Sequence, residues 1–84
     1  MEIVYTEHAV TRMLERQISS TLVREILLHP DGRIRQSADK WIFHKHFPQR
    51  TDNSVAAVAV HRQGQIWEVI TVMVHFEVKH ENRT

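Results

Sequence analysis

His8, Arg12 and Arg16 recur at every fourth position near the start of the chain. On a helix that spacing brings side chains to one face, so an imidazole and two guanidiniums would stand in a row. Such a ridge suits phosphate. Each guanidinium fork donates parallel, charge-assisted hydrogen bonds to phosphate oxygens. Imidazole is the side chain whose free pKa fits proton transfer near neutrality. The competing reading is a solvated helix face on which Glu15 pairs with Arg12 or Arg16.

His44-Lys45-His46 forms a second cluster. On a strand, alternation sends both imidazoles to one face and Lys45 to the other. With Arg50 in the turn that follows, the set matches the needs of metal-free RNA cleavage. A base takes the proton of the ribose 2′-OH, an acid protonates the leaving 5′ oxygen, and cations hold the crowded phosphate. Surface cross-strand histidines are one competing reading; a metal pair completed by His61 or His75 is another. The chain has no cysteine, and no carboxylate is placed by sequence to join such a pair, so neither a metal nor a cofactor is expected. The catalytic candidates are therefore His8, Arg12, His44 and His46.

Overall charge is nearly balanced, at a formal +1 with all seven histidines neutral. That alone does not demand a polyanionic partner. The distribution says more. Between residues 33 and 50, Arg33, Arg35, Lys40, Lys45 and Arg50 face the single acid Asp39, whereas acids outnumber bases in the first 32 residues. The expected RNA or phosphate contacts are Arg16, Lys45, Arg50, Arg33 and Arg35. The plainer alternative is a basic sheet edge that resists strand pairing.

The elements that must position these groups follow from pattern. Residues 2 to 5 read as a short strand. Thr6 is a helix N-cap, Glu7 suits the positive helix end, and Val10, Met13, Leu14 and Ile18 recur at helical spacing. Ser19 and Ser20 end that helix and cap a second, whose stripe is Leu22, Val23, Ile26 and Leu27. His29-Pro30-Asp31-Gly32 closes it. Residues 33 to 36 read as an edge strand. Residues 40 to 47 alternate, with Trp41, Phe43 and Phe47 opposite Ile42, His44 and His46. Residues 48 to 53 form a polar turn, and 54 to 61 and 65 to 76 two apolar central strands joined at Gln63-Gly64. Residues 77 to 84 are a polar tail. Trp41, Phe43, Phe47, Trp67 and Phe76 read mainly as core, with one ring free to stack a base.

The order β-α-α-β-β-β predicts an α+β fold, with the N-terminal strand and helical hairpin packed on one face of an antiparallel sheet of about four strands. The chain of 84 residues, 42% apolar and 25% charged, fits one globular domain over residues 1 to 76. Disulfides and thiol nucleophiles are excluded. The longest apolar run, Val55 to Val60, is too short to cross a bilayer, and no secretory leader is read, so the expected compartment is the cytoplasm and no membrane partner is expected. No phosphate-binding glycine loop, dinucleotide fingerprint or nucleophile elbow is present.

The stretch from Tyr5 to Ser19 resembles the opening signature of a large family of small bacterial domains, T-x-H-A-x-x-R-M-x-x-R-x-I-S. Thr6, His8, Ala9, Arg12, Met13, Arg16, Ile18 and Ser19 fit it, and Gln17 stands where glycine is usual. His29-Pro30-Asp31-Gly32, the aromatic strand and Ile70-Thr71-Val72 also resemble that family. The resemblance implies a RelE/ParE-like fold, within the barnase–EndoU–colicin–RelE group of small RNases and toxins. It implies an endoribonuclease, the toxin of a toxin–antitoxin pair, acting without metal on mRNA or tRNA, on or off the ribosome, and held by an antitoxin protein. The alternative is a non-catalytic RNA-, DNA- or protein-binding module using the basic strand region. Residue by residue, the family pattern reaches His8, Arg12 and Arg16; His44, Lys45, His46 and Arg50 come from chemistry. Both sets serve one reaction if the helix and the aromatic strand converge on a pocket sized for one phosphodiester.

Overall fold

A computed structural model describes residues 1–52 and 54–77. Asn53, at the end of the expected polar turn, and residues 78–84 of the expected tail lie outside the described residues. The element order is β1 (Glu2–Tyr5), α1 (Glu7–Arg16), α2 (Ser20–Leu28), β2 (Gly32–Arg35), β3 (Lys40–His46), β4 (Ser54–Arg62), a short 3-10 turn (Gln63–Gln65) and β5 (Ile66–Val74). The strands form one sheet in the order β1-β5-β4-β3-β2.

Local chemistry explains both helix starts. The Thr6 hydroxyl accepts from the Ala9 N–H, and the Ser19 hydroxyl accepts from the Leu22 N–H. Each satisfies an otherwise orphaned donor of the first turn. α1 ends at Gln17, which sits in the left-handed region at φ 57° and ψ 49°. Glycine adopts that conformation without steric cost, which accounts for the glycine usual at this place in the resembling signature.

Both helices pack on one face of the sheet. Ala9, Met13 and Ile18 from the first helical segment and Val23, Ile26 and Leu27 from the second meet Phe43, Phe47, Val55, Ala57, Ala59, Val69 and Val72. Val23, Ile26, Val55 and Val69 are fully buried, each contributing about 2 kcal/mol of apolar transfer. The alanines of β4 leave room for the helices to approach, and the larger Phe43 stands edge-on to Trp67 at 5.1 Å.

The expected four-stranded antiparallel sheet differs from the observed one at β1. That strand joins as a fifth, paired parallel to β5 with Glu2 opposite Ile66 and Tyr5 opposite Val69. Parallel neighbours need a long connection, and residues 6–65 supply it. β5 also breaks its own alternation. Ala59 pairs with Val69 and Val58 with Thr71, leaving Ile70 as an extra residue. This bulge switches parity, so Trp67 and Val69 face the helices before it, and Val72 and Val74 after it.

Candidate functional site: the groove between α1 and β5

α1 is pinned at both ends. At its start, the Thr6 N–H donates to the Val69 carbonyl and the Thr6 hydroxyl to the Ile70 carbonyl. At its end, the Arg50 guanidinium donates to the Arg16 and Gln17 carbonyls and grips both Asp52 oxygens, at 2.8 and 2.6 Å. The helix therefore runs alongside β5 in the same direction. Ala9 and Met13 face the core, whereas Val10 and Leu14 of the expected stripe are exposed, and the His8–Arg12–Arg16 ridge lies along the second half of the strand. The groove between them is lined by that ridge and by Thr71, Val72, Met73 and Val74.

β1 covers β5 no further than Val69. The bulge at Ile70 marks the point where the covered edge ends and the groove begins. Arg16 and Val74 also line a second groove, with Gln17, Gln49, Asp52 and His75 among its walls. The two grooves meet at Arg16 and Val74 and together make up a channel. Among the described residues, His8 and Arg16 have no side-chain partner, and Arg12 makes one exposed contact with Glu15 at 3.3 Å. Such an exposed pair is worth little and exchanges readily for a ligand. Successive ridge groups rise about 6 Å apart along the helix, a spacing comparable to that of successive phosphates on an extended strand.

The structure does not bring the strand histidines to this groove. His44 and His46 project from the sheet face opposite the helices, and β4 separates β3 from β5. No described cavity holds His8 together with either of them. The expected convergence on one phosphodiester is therefore corrected: the alternation was right, but it aims the imidazoles away from α1. His44 instead packs against Phe76, with ring centroids 5.4 Å apart, and over Gly32, where a Cβ would come within 2.5 Å of its Nε2. Glycine at 32 thus makes room for this ring. The His46 backbone N–H donates to Asp31.

The cations of residues 33–50 are mostly engaged in holding the fold. Lys45 points to the helix side, where its ammonium donates to the carbonyl of His29, the C-cap of α2, at 2.7 Å and lies 3.9 Å from Glu25. This is favourable at a helix C-terminus and commits Lys45 to α2. Arg50 borders the channel, but as the clamp just described. The Arg33 and Arg35 guanidiniums both lie over the Trp41 ring, 5.5 and 5.6 Å from its centroid, and Arg35 also donates to the Ser37 and Ala38 carbonyls. They sit on the outermost strand, at the far end of the sheet from α1.

Electrostatics agree with that division. The hydrogen bonds from Arg50 hold the Asp52 carboxyl below its ordinary range, and the same bonds raise the Arg50 guanidinium. Burial raises the Tyr5 phenol against the opposing pull of Arg24. Among the described residues, no group of three or more His, Asp or Glu side chains could hold a metal ion. His61 instead stacks on Trp67 at 4.5 Å.

Two parts of the channel escaped the sequence reading. His75 reads there as the rim end of the long strand expected over residues 65 to 76, and nothing in its spacing marks it as a neighbour of Arg16. The uncovered edge of Thr71 to Val74 depends on where β1 stops, which is a tertiary fact. No described helix is long and apolar enough to cross a membrane. The family model described as a domain of unknown function (DUF4258) matches residues 5–74, which takes in α1 and β5 through the last groove residue, and the chain belongs to that family. No curated protein and no solved structure is significantly similar to it.

Proposed function

We propose that this member of the DUF4258 family is a metal-independent endoribonuclease, the toxin of a toxin–antitoxin pair, whose working surface is the α1–β5 groove. One observation carries the reading: an imidazole and two guanidiniums, uncommitted or weakly committed, line an open groove at phosphate-like spacing. The resemblance of the Tyr5–Ser19 signature to RelE/ParE-like toxins supports the reading, since the functional positions it reaches, His8, Arg12 and Arg16, are the residues on the ridge. In this reading His8 takes the proton of a ribose 2′-OH. The O2′ then attacks phosphorus, and Arg12 holds the non-bridging oxygens as charge builds on them, while Arg16, one turn further along, holds the next phosphate. The 5′ oxygen leaves with a proton from water, since the groove is open to solvent. His75 stands beside Arg16, about 12 Å from His8 along the ridge, so it serves a neighbouring phosphate and not the one being cleaved.

Among the described residues, no cavity that holds His8 holds a second imidazole, which favours a second reading, a groove that binds single-stranded RNA without cutting it. Incubating the purified protein with total RNA in chelator and mapping new ends separates the two. The first reading expects 2′,3′-cyclic phosphate ends that vanish in His8→Ala. Salt-sensitive binding with no new ends supports the second. Absence of both binding and cleavage refutes the RNA assignment.

A further inference from the structure

We propose that the uncovered half of β5 is a docking edge for an extended acidic segment of a partner protein, added to the sheet as a strand in line with β1. β5 continues to Val74, but β1 pairs only through Val69. Thr71 to Val74 pair with β4 on one side, and on the other side no described strand pairs with them. Natural edges are blunted by lysine, proline, a bulge or a cover. Thr71-Val72-Met73-Val74 carries no charge and no proline, and the bulge at Ile70 precedes it. The charge beside this edge belongs to α1, whose ridge lines one groove together with Thr71 to Val74.

That arrangement defines the occupant. Val72 and Val74 face the helix side, and Thr71 and Met73 face the other. A strand laid along this edge would alternate in step. Its side chains level with Val72 and Val74 meet His8, Arg12 and Arg16 and should be acidic. Those level with Thr71 and Met73 should be apolar. Strand addition of this kind takes its affinity from main-chain bonds and its specificity from alternate side chains. A second copy of the chain fits badly, because it would set one cationic ridge against another. The edge stands independently of the RNA reading. Its consequence, that the acidic strand excludes RNA from the groove and so neutralises the protein, rests on that reading.

The test is an NMR titration of the full chain with a short peptide alternating glutamate and valine. Two further versions are N-methylated on odd or on even backbone nitrogens, and a last one carries lysine for glutamate. The proposal expects shifts at Thr71 to Val74 and along α1. It also expects about tenfold weaker binding for one of the methylated pair and not the other. The lysine peptide should not bind, nor should the glutamate peptide bind Arg12→Glu/Arg16→Glu. Shifts elsewhere, indifference to methylation, no binding at millimolar peptide, or self-association through the same amides would each overturn it. RNA cleavage measured on the same sample keeps the failures apart. Peptide binding without RNA turnover or binding sinks only the RNA reading, and RNA activity without peptide binding sinks only the docking edge.

Discussion

The β2–β3 region and the α1–β5 groove both carry cations, but use them differently. Between residues 33 and 50 positive charge is densest along the chain, yet Lys45 caps α2, Arg50 clamps α1 to Asp52, and Arg33 and Arg35 lie over Trp41. Along α1 the cations are fewer, and among the described residues one exposed contact to Glu15 is all that engages them. What a ligand meets is charge whose hydrogen-bonding capacity is unspent, and a count along the sequence does not measure that.

The largest effect that would sharpen this contrast is at His8. Replacing it with alanine should lower RNA cleavage by about 10²–10⁴-fold and leave the circular dichroism spectrum unchanged, because the side chain is exposed and unpartnered among the described residues. The His44→Ala and His46→Ala variants should cleave at wild-type rate. A loss in these two equal to that in His8→Ala would break the comparison.

Next in size is the clamp. Arg50→Ala leaves Asp52 and two carbonyls at the end of α1 without their donor. Urea denaturation should show a loss of about 2–3 kcal/mol. The same pair sets an acid dependence. Because the folded Asp52 carboxyl titrates below its unfolded counterpart, its contribution is complete above the ordinary carboxylate range and disappears as pH falls through the folded value. Stability followed by denaturation from neutral pH into acid should decline less steeply in Asp52→Asn, starting from a lower neutral value. An unchanged slope would show that the clamp is not the titrating element.

The smallest effect concerns Gln17. Glycine there should relieve a left-handed backbone, against a larger entropy in the unfolded chain. Thermal melting should move upward by a few degrees at most, corresponding to about 0.5–1 kcal/mol, with RNA cleavage unchanged.

Much of this architecture was legible in residues. Thr6 and Ser19 announced both helices, and alternation in β3 correctly sent Phe43 and Phe47 one way and His44 and His46 the other. The ridge His8–Arg12–Arg16 followed from spacing alone. What pattern did not carry was everything set by non-local pairing. Nothing in Glu2–Tyr5 reveals that it lies beside the last strand or stops at Val69. The bulge at Ile70 sits inside a run so apolar that its change of parity leaves no mark. The shared face of His8, Arg12 and Arg16 and the two faces of β3 were thus read correctly. The apolar stripe of α1 was not, since Val10 and Leu14 are exposed. The joint pocket was a statement about the sheet order, in which β4 lies between β3 and β5.

The most direct measurement compares two charge reversals in one RNA-binding assay. Arg12→Glu/Arg16→Glu should abolish binding at moderate salt. Any affinity that persists at low salt should depend less steeply on salt, by about one unit of log–log slope for each phosphate the ridge no longer neutralises. Arg33→Glu/Arg35→Glu should keep most of the affinity. The opposite ranking, with the β2 pair essential and the α1 pair dispensable, would place the working surface on the other end of the sheet and contradict the account.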